Sequence, residues 1–321
     1  MNRSAGIQRS WGALHDRGGA RAYAPTGYVA GLPTYSETGT AGRTPSEHFA
    51  GLPRYSQIVA RLQWDANAID LVPDARAWSE LPAARRRRLT TLLAGFRVAE
   101  DAVAEHLVPF ADVTEPSDPM LMWIFFLQRR DEDRHARFFD RVAAEVLGLP
   151  GETPAQRRAA AARTHVPAAV LELFEVRLPR LAAELAAGRT GVAEGVCLYH
   201  MVLEGVVFGA GQQALLDDLA DGALPGIREG VERVERDERW HVGFGLRCLA
   251  ESGKPELVDE VLVRAGEAAT AWGDAVPVAT QESVMALCRH RLSVAGLLQA
   301  RTAAGSGAAG SVPGAQTIAL G

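Results

Sequence analysis

Cysteine is scarce in this chain and widely scattered. The three present in 321 residues, Cys197, Cys248 and Cys288, form no C-x-x-C pair, which argues against both a disulfide framework and a thiolate metal site. They read as small buried apolar side chains in a reducing compartment. A basic excess is also missing. With a net charge of −5 and a pI near 5.9, no face-sized cationic surface is available to neutralise phosphates, so no nucleic-acid partner is expected. The single basic block, Arg85-Arg86-Arg87-Arg88, reads as a solvated helix face. No charged-then-apolar leader opens the sequence, and no stretch reaches the length of a membrane span. The expectation is a soluble, cytoplasmic protein with no membrane partner. β-branched residues thin out after about residue 80, and no strand-like alternation bounded by turn residues is found.

Hydrophobic residues make up 47% of the chain, enough for a large core. Alanine, leucine, arginine and glutamate dominate, a usage that favours helix. Residues 1–50 are rich in Gly, Ser, Thr, Pro and Arg and read as a disordered or extended arm. Residues 301–321 read as a flexible tail. Between them, over 51–300, the 3.6-residue apolar period recurs. It predicts helices over about 81–108, 119–147, 154–164, 167–187, 190–221, 225–252, 255–273 and 277–300. Gly148, Gly188 and Gly253 mark three of the ends. The pattern and the short connections predict an all-α bundle of antiparallel helices.

Two E-x-x-H motifs stand out, Glu132-Asp133-Arg134-His135 and Glu238-Arg239-Trp240-His241. Residues three apart share a helix face, so one carboxylate and one imidazole can reach the same metal. With 23 Glu and 8 His, composition alone supplies about half a match, so the motifs by themselves are weak. Their spacing is stronger evidence. Asp101 lies 31 residues before Glu132, and Glu204 lies 34 before Glu238. Each half thus repeats a carboxylate, a helix and turn, then E-x-x-H. A dimetal-carboxylate bundle needs this pattern: four helices each project a carboxylate inward and two add a histidine. Oxygen-rich ligation with one imidazole per metal suits iron and manganese rather than structural zinc. Glu204 is the only charged residue between Glu194 and Asp217, and a buried carboxylate needs a cation or a donor. Glu100 and Asp101 are adjacent, so at most one of them faces the site, and the apolar residues of this helix leave open which. Asp237 precedes a motif glutamate and could orient the outer nitrogen of His135. Tyr199 lies five residues before Glu204. His106, His165, His200 and His290 lack partners at ligand spacing and read as structural.

These residues resemble the ribonucleotide reductase small-subunit superfamily, and within it the ligand-binding oxidases, over roughly residues 50–250. The segment Trp64-Asp65-Ala66-Asn67-Ala68-Ile69-Asp70, with Asp74, Trp78 and Leu81, looks like the superfamily segment in which a tryptophan reaches a metal histidine through an aspartate. That implies a chain of Trp64, Asp237 and His135. The stretch Ala99–Glu105, then Pro109-Phe110, is similar to the first-ligand helix of the oxidases. The implied ligand set is Asp101, Glu132, His135, Glu204, Glu238 and His241, on a ferritin-like helical bundle with a four-helix dimetal core and additional helices. The oxidases have glutamate at the first position, a departure here. They also join a valine two residues past the first ligand to a tyrosine five before the lone glutamate, which implies a Val103–Tyr199 ether crosslink.

The tyrosine of radical-forming reductases falls at Phe139, and no tyrosine in the sequence lies beyond Tyr199, which turns the resemblance from the reductases toward the oxidases. It implies a dioxygen-dependent oxidoreductase holding Fe and Mn, or two Fe. The substrate would be a hydrophobic, fatty-acid-like or biosynthetic small molecule, with an unidentified electron donor and a homodimeric assembly. A ribonucleotide reductase small subunit without a tyrosyl radical, and a non-catalytic iron-storage bundle, are the alternatives.

Overall fold

The structure is a computed structural model, and it describes residues 51–114 and 117–298. The expected N-terminal arm (1–50) and flexible tail (301–321) lie outside the described residues. Helices α1 (Leu52–Leu62) and α2 (Val72–Trp78) lead into the long α3 (Ala83–His106), followed by the short α4 (Val108–Thr114) and the long α5 (Pro119–Glu145). Next come α6 (Pro154–Thr164), then α7 (Ala168–Leu171) and α8 (Leu178–Ala186), which are joined by a π-helical turn, Glu172–Arg177. One further continuous helix contains α9 (Val192–Val196), a π-helical segment (Cys197–Phe208) and α10 (Gly209–Asp218). Helices α11 (Pro225–Glu251), α12 (Glu256–Ala268) and α13 (Val278–Val294) complete the fold. Among the described residues there is no strand. The architecture is a ferritin-like helical bundle.

Local chemistry accounts for the helix ends. Asp118 accepts from the backbone N–H groups of Met120 (3.1 Å) and Leu121 (2.9 Å) and, with Pro119 behind it, starts α5. Thr153 and Gln156 form a capping box at α6. Helix α11 has no cap of its own. Instead the buried carboxylate of Asp74 accepts from Gly226 N (2.9 Å) and Ile227 N (2.7 Å), meeting the positive end of the helix. Asp74 therefore ties the N-terminal segment to the helix that carries the second E-x-x-H motif. The basic run also has a structural partner: Arg85 and Arg88 pair with Asp218, and Arg85 with Asp221 (2.7 Å), at the end of α10.

Four elements make the centre: α3, α5, the helix through the π-segment, and α11. Helix α3 lies along α5, and α11 lies along the π-segment. Phe96 of α3 stacks on Phe139 of α5 with centroids 5.0 Å apart. At Gly245 of α11 a Cβ would stand 2.3 Å from Cβ of His200, so only glycine admits that ring at this distance.

Two expectations change here. Helices α1, α2 and α4 carry no helix in the periodicity reading: α2 and α4 are too short, and α1 has a clear apolar face that the reading passed over. The stretch Val192–Asp221 does have the length and composition of a membrane span: 30 residues with a hydropathy of 1.4. Its apolar window is 78% buried inside the molecule, so it is the core helix of the bundle.

Candidate metal centre

Six side chains converge between the four central helices. Glu100, Glu132, His135 and Glu238 form one group with their ligand atoms mutually within 4.8 Å, and Glu132, Glu204, Glu238 and His241 form another. All six residues are buried, none more than 4% exposed. The groups share Glu132 and Glu238, and the geometry of these two carboxylates is symmetric. Glu132 turns Oε2 to His135 Nδ1 (3.2 Å) and Oε1 to His241 Nδ1 (3.2 Å). Glu238 turns Oε1 to His135 Nδ1 (3.4 Å) and Oε2 to His241 Nδ1 (3.2 Å). Glu100 joins only the His135 side (3.5 Å) and Glu204 only the His241 side (3.4 Å).

The first ligand position differs from expectation. Asp101 points out of the cluster. Its carboxylate accepts from Arg158 Nη1 at 2.9 Å, lies 3.2 Å from Arg97 Nη1, and is 34% exposed. Adjacent residues on a helix diverge by about 100°, so when Glu100 faces inward Asp101 cannot. The crosslink expectation moves with it. Counted from Glu100, the position two residues on is Ala102, not Val103. Val103 is a buried core residue in the same cluster as Tyr199.

Electrostatics shows what the cluster lacks. Four carboxylates and two neutral imidazoles would carry a charge of −4 in a dry interior, where such repulsion is severe. Burial pushes Glu100 up to about 8 against the pull of His135. Burial, reinforced by Glu238, raises Glu204 well above the carboxylate range. For His135 and His241 burial opposes the charge, yet the surrounding carboxylates, with Asp237 foremost at His135 and Glu132 at His241, raise both well above 6.5. Glu132 is likewise penalised by burial but held well below its ordinary value by His241 and His135. Both oxygens of Glu100, Oε2 of Glu204 and Oε1 of Glu238 have no hydrogen-bond partner. Buried orphaned acceptors of this kind require a cation. Two divalent ions would balance the −4 of the deprotonated set, and the oxygen-rich donors with one imidazole each fit iron or manganese.

An outer layer orients this set. Trp64 Nε1 donates to Asp237 Oδ2 at 2.7 Å, and the same oxygen lies 3.2 Å from His135 Nε2. Burial raises the Asp237 carboxyl, but His135, Arg134 and Trp64 together hold it below its ordinary value. The other half repeats the arrangement with Asp131, which accepts from Trp240 Nε1 at 3.1 Å and stands 3.7 Å from His241 Nε2. Arg134 lies between the two aspartates, 2.6 Å from Asp131 and 2.8 Å from Asp237. Each aspartate immediately precedes the glutamate of one motif and backs the histidine of the other, so D-E-x-x-H is the full repeat. At His135 this partner fixes the tautomer, with Nε2 toward the aspartate and Nδ1 toward the centre; His241 has the same orientation, but its Nε2 makes no hydrogen bond.

Three more residues act on the carboxylates. His200 Nε2 donates to Gln128 Oε1 (3.0 Å), and Gln128 Nε2 donates to Glu204 Oε1 (2.8 Å). Burial, with His241 nearby, holds the His200 pKa down to about 3. The ring is therefore neutral, and because Gln128 Nε2 donates to Glu204 its Oε1 is left to accept from His200 Nε2. Tyr199 donates to Glu132 Oε1 at 3.1 Å, and burial with Glu132 raises its phenol well above 10. Tyr199 and Glu204 are five residues apart and would diverge on an α-helix. The π-helical segment, with its i→i+5 hydrogen bonds, brings both toward one face.

No protein-family model matches the chain. Solved structures do match. One is a point variant of an R2-like ligand-binding oxidase with an aerobically reconstituted Mn/Fe cofactor. It has a TM-score of 0.62 and 19% identity, covering 76% of this chain and 93% of that one. A second such variant, with an aerobically reconstituted Fe/Fe cofactor, has a TM-score of 0.58 and 19% identity, covering 79% and 93%. This chain has the fold of the R2-like ligand-binding oxidases. At that identity the likeness speaks for the architecture, and the chemistry has to come from the residues.

Proposed function

We propose that this chain is a dioxygen-activating dimetal-carboxylate oxidase or oxygenase holding Fe and Mn, or two Fe. The reading rests chiefly on the paired use of Glu132 and Glu238, each with one oxygen toward either imidazole, which is the disposition of carboxylates that bridge two ions. In this reading Glu100 and His135 would help hold one metal, and Glu204 and His241 the other. The cofactors of the similar oxidases agree with it.

The bound ions would supply the electrons and the Lewis acidity that dioxygen reduction needs. The chain's own residues set the conditions. Asp237 holds the His135 imidazole in the ligating tautomer. Gln128, fixed by the neutral His200, aims Glu204. Tyr199 keeps its proton and places it on Glu132. The aromatic packing of Phe96, Phe125, Phe139 and Phe208 keeps the surroundings dry. The substrate is a small organic molecule, of the hydrophobic or biosynthetic kind, approaching beside Glu204 and Glu238. Phe139, stacked on Phe96, has no hydroxyl from which to form a radical, which disfavours a tyrosyl-radical reductase.

Anaerobic loading with Fe(II) and Mn(II), then elemental analysis and electron paramagnetic resonance before and after air, tests the reading. Two metals per chain and oxygen uptake coupled to a changed spectrum are expected. One metal or none, or a spectrum indifferent to air, contradicts it.

A further inference from the structure

A cavity of about 270 Å³ opens directly on the centre, with Glu204 and Glu238 in its wall. Its volume is below the roughly 300–1,000 Å³ of sites for drug-sized molecules, so its occupant is about the size of a single ring. Val242 and Val284 provide apolar wall. Besides the carboxylates of the centre, its polar lining holds two buried donors that no group of the described residues satisfies. Arg291 lines the cavity with no carboxylate of the described residues within ion-pairing distance, and its buried Nε has no partner. Its Nη1 is only 3.9 Å from where a Cβ on Gly205 would stand, beside Glu204. Gln212, 2% exposed, also lines the cavity and has a buried, unpartnered Nε2.

The other charges do not answer Arg291. Glu235 and Arg239 pair with each other at 2.7 Å, and Asp217 is exposed. A guanidinium partly removed from water and left unpaired is costly, and its planar fork matches a carboxylate.

On the basis of the dimetal reading, we propose that this cavity is the substrate site and that it takes a small monocarboxylate. Arg291 anchors the carboxylate, Gln212 donates to it, and the molecule's apolar body lies against Val242 and Val284 at the face of the centre. A phosphate dianion would bring two negative charges to one unpaired cation beside two ligand carboxylates, so it fits less well. A long-chain acid needs more room than this cavity of about 270 Å³ offers.

The test is calorimetric titration of benzoate, benzamide and palmitate into anaerobic, manganese(II)-loaded protein, wild type and Arg291→Met, with metal content measured alongside. Two metals per chain in both proteins are expected, with benzoate at least tenfold tighter than its neutral isostere benzamide in the wild type. Arg291→Met should weaken benzoate at least tenfold and leave benzamide within about twofold, as a charge-assisted hydrogen bond would. Should the variant fail to fold, the benzoate-to-benzamide ratio in the wild type still decides. Equal binding of the two, an Arg291-independent benzoate affinity, or palmitate tighter than benzoate overturns the anchor and leaves the dimetal reading standing. Fewer than two metals in the wild type overturns that reading, and the anchor falls with it.

Discussion

Glu100→Gln should make the metal-free protein more stable. Glu100 is fully buried, both its oxygens lack hydrogen-bond partners, and burial pushes its carboxyl up to about 8 from an ordinary 4.5. A carboxyl whose folded pKa is raised destabilises the fold increasingly as pH climbs above 4.5, and the effect levels off past about 8. At about 1.4 kcal/mol per pH unit, the cost at pH 7 is about 3 kcal/mol. Glutamine reproduces the shape of the neutral acid without that cost. For a domain of this size the gain is a Tm rise of roughly 6–12 °C. Asp101→Asn takes a carboxylate from Arg158 and from the buried Arg97 and should give no gain in stability. The assay is thermal melting in chelator at pH 5, 7 and 8, where the advantage of Glu100→Gln should be small at pH 5 and largest at pH 8. A Glu100→Gln protein that melts at or below wild type at pH 8, or a larger gain from Asp101→Asn, would refute the reasoning.

Metal uptake should release protons, because Glu100, Glu204, His135 and His241 all hold protons in the metal-free site and must give them up to ligate. Affinity then falls as pH drops below about 8, which calorimetry in buffers of different ionisation heat would check. Asp237→Ala removes the acceptor shared by Trp64, Arg134 and His135 and should weaken metal binding about 10–100-fold, read by competition with a chelating dye. The same change at Asp131 should cost less, since His241 Nε2 stands 3.7 Å from it. Aerobic loading should leave the peptide containing Tyr199 unmodified, because Ala102 occupies the position where the resemblance requires valine. An intact mass two hydrogens lighter, mapping to a joined peptide, would contradict this.

Much of the fold was legible because its long helices carry clear periodicity and explicit stops, such as Gly148, Gly188 and Gly253. The seven-residue α2 and α4 were not, since two turns give too little pattern to read; α1, as long as α6, has a clear apolar face that the reading passed over. The repeat of a carboxylate followed by E-x-x-H brought five of the six clustered residues into view, because residues three apart on a helix must share a face. The sixth was misread between neighbours, although a local signal was present. Asp101 has Arg97 one turn before it and Glu105 one turn after, the company of a solvated residue. Glu100 has Phe96 and Ala104. Asp131 was overlooked although it precedes Glu132 as Asp237 precedes Glu238. Gln128 and His200 each lie four residues before a clustered glutamate, on its face, but neutral polar residues among apolar ones look like ordinary core. The π-helical segment leaves no mark in the apolar pattern, so the shared face of Tyr199 and Glu204 emerges only in three dimensions. Arg291 is remote in sequence from every clustered residue, and only tertiary packing places it beside Gly205.

The central claim is most directly tested by anomalous diffraction at the iron and manganese edges from metal-loaded crystals. Two peaks are predicted, one held by Glu100 and His135, the other by Glu204 and His241, with Glu132 and Glu238 touching both. A single peak, or a metal bound through Asp101 while Glu100 stays free, would contradict it.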